Sequence, residues 1–300
     1  MIEYLSKQNV DPNLIKLVEE YRKENAINDS RIEKPEFAYY GKEVLEQAIA
    51  GILAGKNILL TGAKATGKNV LASNLSYIFA RPTWNISFHV NTDYNSLIGA
   101  DTFKNGEVVF RKGPIYEAAI NGGFAILDEI NMAKNEAISV LHATLDHRRI
   151  IDIPGYEKIK LDKNTRFIAT MNYGYIGTRE LNEALASRFL IINVPNITSD
   201  NLAKLLDDKF PKLKEKYKIA FIEMFDSLQK KSENSEISTK SVDLRGLISA
   251  IETMQIGLNP YDAIKMAIIN KSFDDFERQI VADTVKTKIP EKINESIFND

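Results

Sequence analysis

The chain has 300 residues, 44% of them hydrophobic, with 39 lysines and arginines against 41 aspartates and glutamates. That length and apolar content suffice for one or two domains with a sizeable core, and a net charge of −2 gives no whole-chain attraction to nucleic acid or an anionic membrane. Cysteine is absent, which removes disulfides and thiolate chemistry, and His89, His142 and His147 fall into no zinc-binding spacing.

The opening MIEYLSKQNV has no basic start followed by an apolar core, and no stretch approaches the ~18 uninterrupted apolar residues of a membrane span. A cytoplasmic protein without membrane insertion is expected. Residues 11–25 alternate apolar and charged positions at helical spacing, and SRIEKPEF (30–37) reads as an extended linker because Pro35 disfavours helix around it. Residues 1–35 are thus expected to be a helical extension with a linker. From residue 36 to 196 the pattern is α/β: KEVLEQAIAGILAG precedes the short apolar run NILLT (57–61), and KNVLASNLSYIFA precedes ISFHV (86–90). GFAILDE (123–129), TRFIATMN (165–172) and FLIINV (189–194) continue it. Short apolar strands separated by helices predict a parallel sheet with both faces covered. Two segments interrupt the alternation, GADTFKNGEVVFRKG (99–113) and RRIIDIPGYEKIKLD (148–162), and each predicts a β-hairpin around a Gly-containing turn. Beyond Pro195 only amphipathic helical patterns follow, among them NLAKLLDDKF, KYKIAFIEMFDSLQKK, VDLRGLISAIETMQI and YDAIKMAIIN. They predict a small helical domain over 197–275, with KKSENSEISTKS (230–241) as a loop and 276–300 as a tail.

The chemistry concentrates at strand ends. Gly62, Ala63, Lys64, Ala65, Thr66, Gly67, Lys68, Asn69 and Val70 span a G-x-x-x-x-G-K loop between a strand and a helix. A phosphate cradle requires that context, since the helix's first amides and positive end face the anion. Lys68 would neutralise the β- and γ-phosphates of ATP; the plainer alternative is a Gly-rich turn with a solvated lysine. Asp128 and Glu129 end FAILDE, at the edge of the sheet where such folds bind ligands, so Asp128 could hold Mg²⁺ and Glu129 could polarise water. A helix cap beside a surface acid is the alternative there. Asn172, closing RFIATMN, could orient that water or touch the γ-phosphate, or simply begin a turn. Arg188 in LNEALASRF carries a planar, permanent charge suited to a phosphoryl-transfer transition state, or else a surface ion pair. Arg245, near the start of a helix in the second domain, could report nucleotide state.

This ordered set resembles the MoxR-type AAA+ ATPases, including the relatives called CbbQ and GvpN, over roughly residues 36–255. The resemblance implies a P-loop NTPase fold with a helical lid and a nucleotide site holding ATP and Mg²⁺. Within it Lys68 is the Walker A lysine, Asp128 and Glu129 the Walker B pair, and Asn172 the sensor 1 residue. Arg188 matches the arginine finger acting on the neighbouring subunit and Arg245 the sensor 2 arginine. It also implies a homo-oligomeric ring, usually a hexamer, that uses ATP to remodel a protein client, often one with a von Willebrand factor A domain.

The loop departs from that pattern at two positions. Ala65 stands where Gly is usual, which is tolerable if its φ is negative, and Asn69 stands where Ser or Thr is the metal ligand, offering a longer amide that could bind Mg²⁺ through water instead. Three functions remain in competition: a client-remodelling ATPase ring, with Phe110, Arg111, Lys112 and Tyr156 of the hairpins touching pore or client; a nucleotide-sensing module that hydrolyses little; and an McrB-like motor on nucleic acid, which is disfavoured because MNYG lacks the MNTAD continuation of those proteins.

Overall fold

The structure is a computed structural model that describes residues 2–172, 181–293 and 295–299. It divides into two compact units, Met1–Ala63 with Gly67–Pro195, and Lys64–Thr66 with Asn196–Asp300.

The first unit is built on β1 (Ile58–Gly62), β2 (Thr83–Ser87), β5 (Phe124–Asp128), β8 (Arg166–Asn172) and β9 (Leu190–Asn193), which form one parallel sheet in the order β2-β5-β8-β1-β9. Side chains alternate across it as the strand period demands. Leu59, Ala125, Leu127, Phe167 and Ala169 join the core on one face, with Ile115 and Ala118 of the helix Pro114–Ile120. Ile58, Leu60, Phe124, Ile126 and Ile168 join the core on the other, covered by the helices Lys42–Leu53 and Lys68–Ile78. The strand read from ISFHV begins earlier, at Thr83, and ends at Ser87, because Trp84 and Ile86 are its inward residues and Thr83 pairs with Phe124.

The amino-terminal helices Ile2–Lys7 and Pro12–Glu24 and the connection between them add Leu5, Val18 and Val10 to the second core. Residues 1–35 therefore pack onto the sheet, although their sequence reads as an extension. Both expected hairpins form: β3 (Gly99–Lys104) pairs antiparallel with β4 (Glu107–Lys112), and β6 (Ile150–Ile151) with β7 (Ile159–Lys160). The first turns at Asn105 and Gly106, both at positive φ (55 and 88), the conformation that makes Asn-Gly a tight-hairpin signal.

Helices that return antiparallel to the strands bring their carboxyl ends to the strands' amino ends, and arginines meet them there, Arg81 and Arg166 buried and Arg22 partly exposed. Arg166 Nε donates to Ile52 O (3.2 Å) at the end of Lys42–Leu53. Arg22 Nη1 donates to Tyr77 O (3.0 Å) and Ile78 O (2.9 Å) at the end of Lys68–Ile78. Arg81 donates through Nε to Gly122 O (2.7 Å) and through Nη1 to Asn25 O (2.8 Å), just past two further helices. Cations at helix carboxyl ends satisfy orphan carbonyls and oppose the negative end of the dipole.

The second unit is helical, with Ser199–Lys209, Glu215–Glu233, Leu244–Gln255, Pro260–Ala267 and Asp275–Lys286. Leu206, Phe221, Met224, Leu228, Leu247 and Ile251 are buried within it. The stretch 276–300, read as a tail, begins with most of a helix whose Val281 and Val285 are fully buried, followed by buried Ile289. Among the described residues no helix is long and apolar enough to cross a membrane.

Candidate nucleotide site

Sheet register builds the site. Gly62 at the end of β1 lies opposite Asn172 at the end of β8, and Leu127 opposite Ala169, so the carboxyl ends of three adjacent strands finish together. Ligands bind at that edge in parallel α/β sheets.

The loop leaves β1 through Gly62 and enters its helix at Gly67, the N-cap, whose φ of 87 belongs to glycine. Ala65 does not have the negative φ that its Cβ would favour; its φ is 65, in the left-handed region. Closure of the loop imposes that conformation, so the side chain is carried at a cost of about 1–2 kcal/mol. Thr66 is buried and Lys64 exposed. Val70 turns away from the loop and packs against the core that contains Leu60 and Leu71.

Lys68 is only 6% exposed. Its Nζ donates to Gly62 O (3.0 Å) and Ala63 O (2.6 Å), carbonyls of its own loop. Burial pushes the Lys68 ammonium down to about 8, against the pull of Asp128 and Glu129, which favour its charge. A desolvated cation facing two acids at the mouth of a phosphate-type loop is suited to an anion.

Asp128 accepts on both oxygens, from Thr170 Oγ1 at Oδ1 (2.6 Å) and from Asn69 Nδ2 at Oδ2 (2.9 Å). Asn69 therefore turns its nitrogen toward the expected metal carboxylate. Each Asp128 oxygen keeps lone-pair capacity for a cation, so the donor set fits Mg²⁺ through Asp128. Glu129 has φ 53 and ψ 47, a left-handed turn that leaves the strand, and its backbone N–H donates to the same Thr170 hydroxyl (3.1 Å). Asn172 Nδ2 donates to Glu129 Oε1 (2.9 Å), and Asn131 Nδ2 donates to Asn172 O (3.0 Å). The segment following Asn172, from Tyr173 to Glu180, lies outside the described residues.

Thr170 and Asn131 were not singled out in the sequence. A hydroxyl within the otherwise apolar stretch FIATM (167–171) was the available signal for Thr170, which is 1% exposed.

Arg188 makes its bonds to other residues. Its Nε donates to His142 O (3.2 Å) and its Nη1 to Ala184 O, and it is partly exposed. Arg245 is exposed in the first turn of Leu244–Gln255, where its backbone N–H is capped by Asp243 (3.0 Å). On the hairpins, Phe110 packs against Tyr116 and Tyr156, with ring centroids 5.7 and 5.1 Å away, and Tyr156 donates its hydroxyl to Asp101. Lys112 Nζ lies 5.2 Å above the Tyr116 ring. Phe103 (75% exposed) and its cross-strand partner Val108 (66%) stand open, and Arg111 and Lys112 are exposed as well.

Residues 57–189 match the AAA domain of the dynein-related subfamily. The chain is 34% identical over 249 residues to the uncharacterized protein YojN of Bacillus subtilis strain 168, covering 81% of this chain and 82% of YojN. It is 35% identical over 237 residues to the uncharacterized protein SAB1265c of Staphylococcus aureus strain RF122, covering 77% of this chain and 90% of that protein.

Proposed function

This chain belongs to the AAA+ family of ATPases, and on that premise we propose that it binds ATP with Mg²⁺ at residues 62–70, hydrolyses it, and works as a MoxR-like homo-oligomeric ring that remodels a protein client. The observation that carries the catalytic part is the desolvated Lys68 ammonium facing Asp128 and Glu129, with Asn172 bonded to Glu129 at 2.9 Å. When bound, ATP supplies the phosphoryl group and Mg²⁺ the charge that stabilises its transfer.

The protein's own groups divide the remaining work. Lys68 exchanges its two loop carbonyls for phosphate oxygens, and the amides at the start of Lys68–Ile78 add the helix's positive end. Asp128, fixed by Thr170 and Asn69, is the metal-side carboxylate. Asn172 occupies Glu129 Oε1 and leaves Oε2 as the atom that takes a proton from water. Arg188 serves a neighbouring subunit's site, and Arg245 answers to nucleotide state. The client, with a von Willebrand factor A domain protein as the leading type, meets the open apolar pair Phe103 and Val108 on the first hairpin as well as the more enclosed Phe110 and Tyr156.

Glu129→Gln should retain nucleotide affinity while turnover falls by at least about 10²-fold, the scale of a lost positioned base. Turnover within a few-fold of the parent would remove Glu129 from that role. A second reading, a sensing module with little hydrolysis, is favoured by the left-handed Ala65 and by the nitrogen that Asn69 turns to Asp128. Steady-state ATP hydrolysis by the purified parent chain separates the two readings.

A further inference from the structure

A serine or threonine hydroxyl at position 69 could donate to Asp128 and offer a lone pair to a cation from one oxygen. An amide divides those capacities between two atoms on opposite branches of a planar group. In this chain the branch facing Asp128 is settled by chemistry, because an ionised carboxylate only accepts, and Asn69 Nδ2 donates to Oδ2 at 2.9 Å. Asn69 Oδ1 is thereby directed away from the carboxylate that would share a metal with it. The other Asp128 oxygen is held by the buried Thr170 hydroxyl at 2.6 Å. Neutral donors from the protein thus satisfy Asp128 on both sides without a cation, and one direct ligand of the usual octahedron is missing.

We propose that Asn69 is a positioning residue for Asp128 and not a metal ligand, and that it makes the site bind metal-free nucleoside phosphates almost as tightly as their Mg²⁺ complexes. The proposal rests on the nucleotide-binding reading above. Mg²⁺ favours near-ideal octahedral geometry and gives up its waters reluctantly, so a site that offers Asp128 alone gains little affinity from the ion. Phosphate charge is instead met by Lys68 and the loop amides, which do not depend on the cation.

The test is calorimetric titration of a non-hydrolysable ATP analogue into the full chain, once in EDTA and once in saturating Mg²⁺, for the parent and for Asn69→Thr. The parent Kd should change by less than about threefold between buffers, whereas Asn69→Thr should tighten by at least about tenfold with Mg²⁺, equivalent to ~1.4 kcal/mol. A parent that itself tightens tenfold with Mg²⁺ overturns the proposal and leaves the nucleotide site standing. Equal metal dependence in the two proteins overturns it too. Absence of binding in both buffers overturns the nucleotide reading and this proposal with it. The parent pair of titrations decides the matter even where Asn69→Thr fails to fold.

Discussion

Thr170→Val removes one oxygen and leaves the side-chain volume almost unchanged, so its effect reports hydrogen bonding in the site and not a cavity. Thr170 is 1% exposed, donates to Asp128 Oδ1 at 2.6 Å and accepts from the Glu129 backbone N–H at 3.1 Å. The first is a bond to a charged group, in the class of about 1.5–3 kcal/mol, and the second is an ordinary bond of about 0.5–1.5 kcal/mol. Asp128 and Glu129 are only partly buried, so water recovers some of each loss, and a destabilisation of about 2 kcal/mol is expected, at the lower end of that sum. Trp84 is the only tryptophan, is 7% exposed, and sits on β2 paired with β5, so its fluorescence in a urea titration follows this unit. Thr170→Ser keeps the hydroxyl and should stay within about 1 kcal/mol of the parent. Turnover should fall with Val and survive with Ser, because Glu129 would lose the contact that fixes its left-handed backbone. A Val variant within about 0.5 kcal/mol of the parent, the range of an inert surface change, would refute the account of Thr170 as the clamp on both acids.

Two other predictions concern the loop and the arginine. Ala65→Gly should stabilise the chain by about 0.5–1 kcal/mol, the relief of a left-handed Cβ less the entropy glycine gains when unfolded, and should appear as a higher urea midpoint at unchanged slope; an unchanged or lower midpoint removes strain at Ala65. Arg188→Ala should leave nucleotide affinity close to the parent's and lower turnover by about 10³-fold or more, as for a finger acting across a subunit boundary. Mixing it with Lys68→Ala subunits should restore activity at interfaces that pair an intact loop with an intact arginine, and co-assembly without recovery counts against action in trans.

The sheet was legible because strands buried on both faces must be continuous apolar runs, and NILLT, FAILDE and FIATMN have no other use for that composition. Gly62, Asp128, Glu129 and Asn172 were legible for a related reason, being polar or glycine residues at the ends of those runs, and Lys68 by its spacing from Gly62 and Gly67 at the start of a helix. What escaped depends on three-dimensional closure. Nothing in the identity of Ala65 announces a φ of 65, which is set by the path between Gly62 and Gly67. The orientation of the Asn69 amide is equally invisible until β5 brings Asp128 within 2.9 Å. The packing of residues 1–35 onto the sheet rests on Leu5, Val10 and Val18, spaced too irregularly to mark one helical face.

The arginines at the helix carboxyl ends supply the last step, because they show why total charge says so little about this site. Parallel strands alternating with helices segregate polarity: helix amino ends, with free N–H groups, gather where the strands end, and carboxyl ends gather where the strands begin. Arg22, Arg81 and Arg166 bond to carbonyls at the second end. At the first end no such spending of cations is needed, since the start of Lys68–Ile78 and a single desolvated lysine furnish the positive field. A chain of net charge −2 can therefore present an anion site without a basic patch. Arg188 also bonds two carbonyls, His142 O and Ala184 O, and like Arg22 it remains partly exposed. A guanidinium held by backbone but still open to solvent has donors left for a group outside its own chain, which is the property that the mixed-subunit experiment measures.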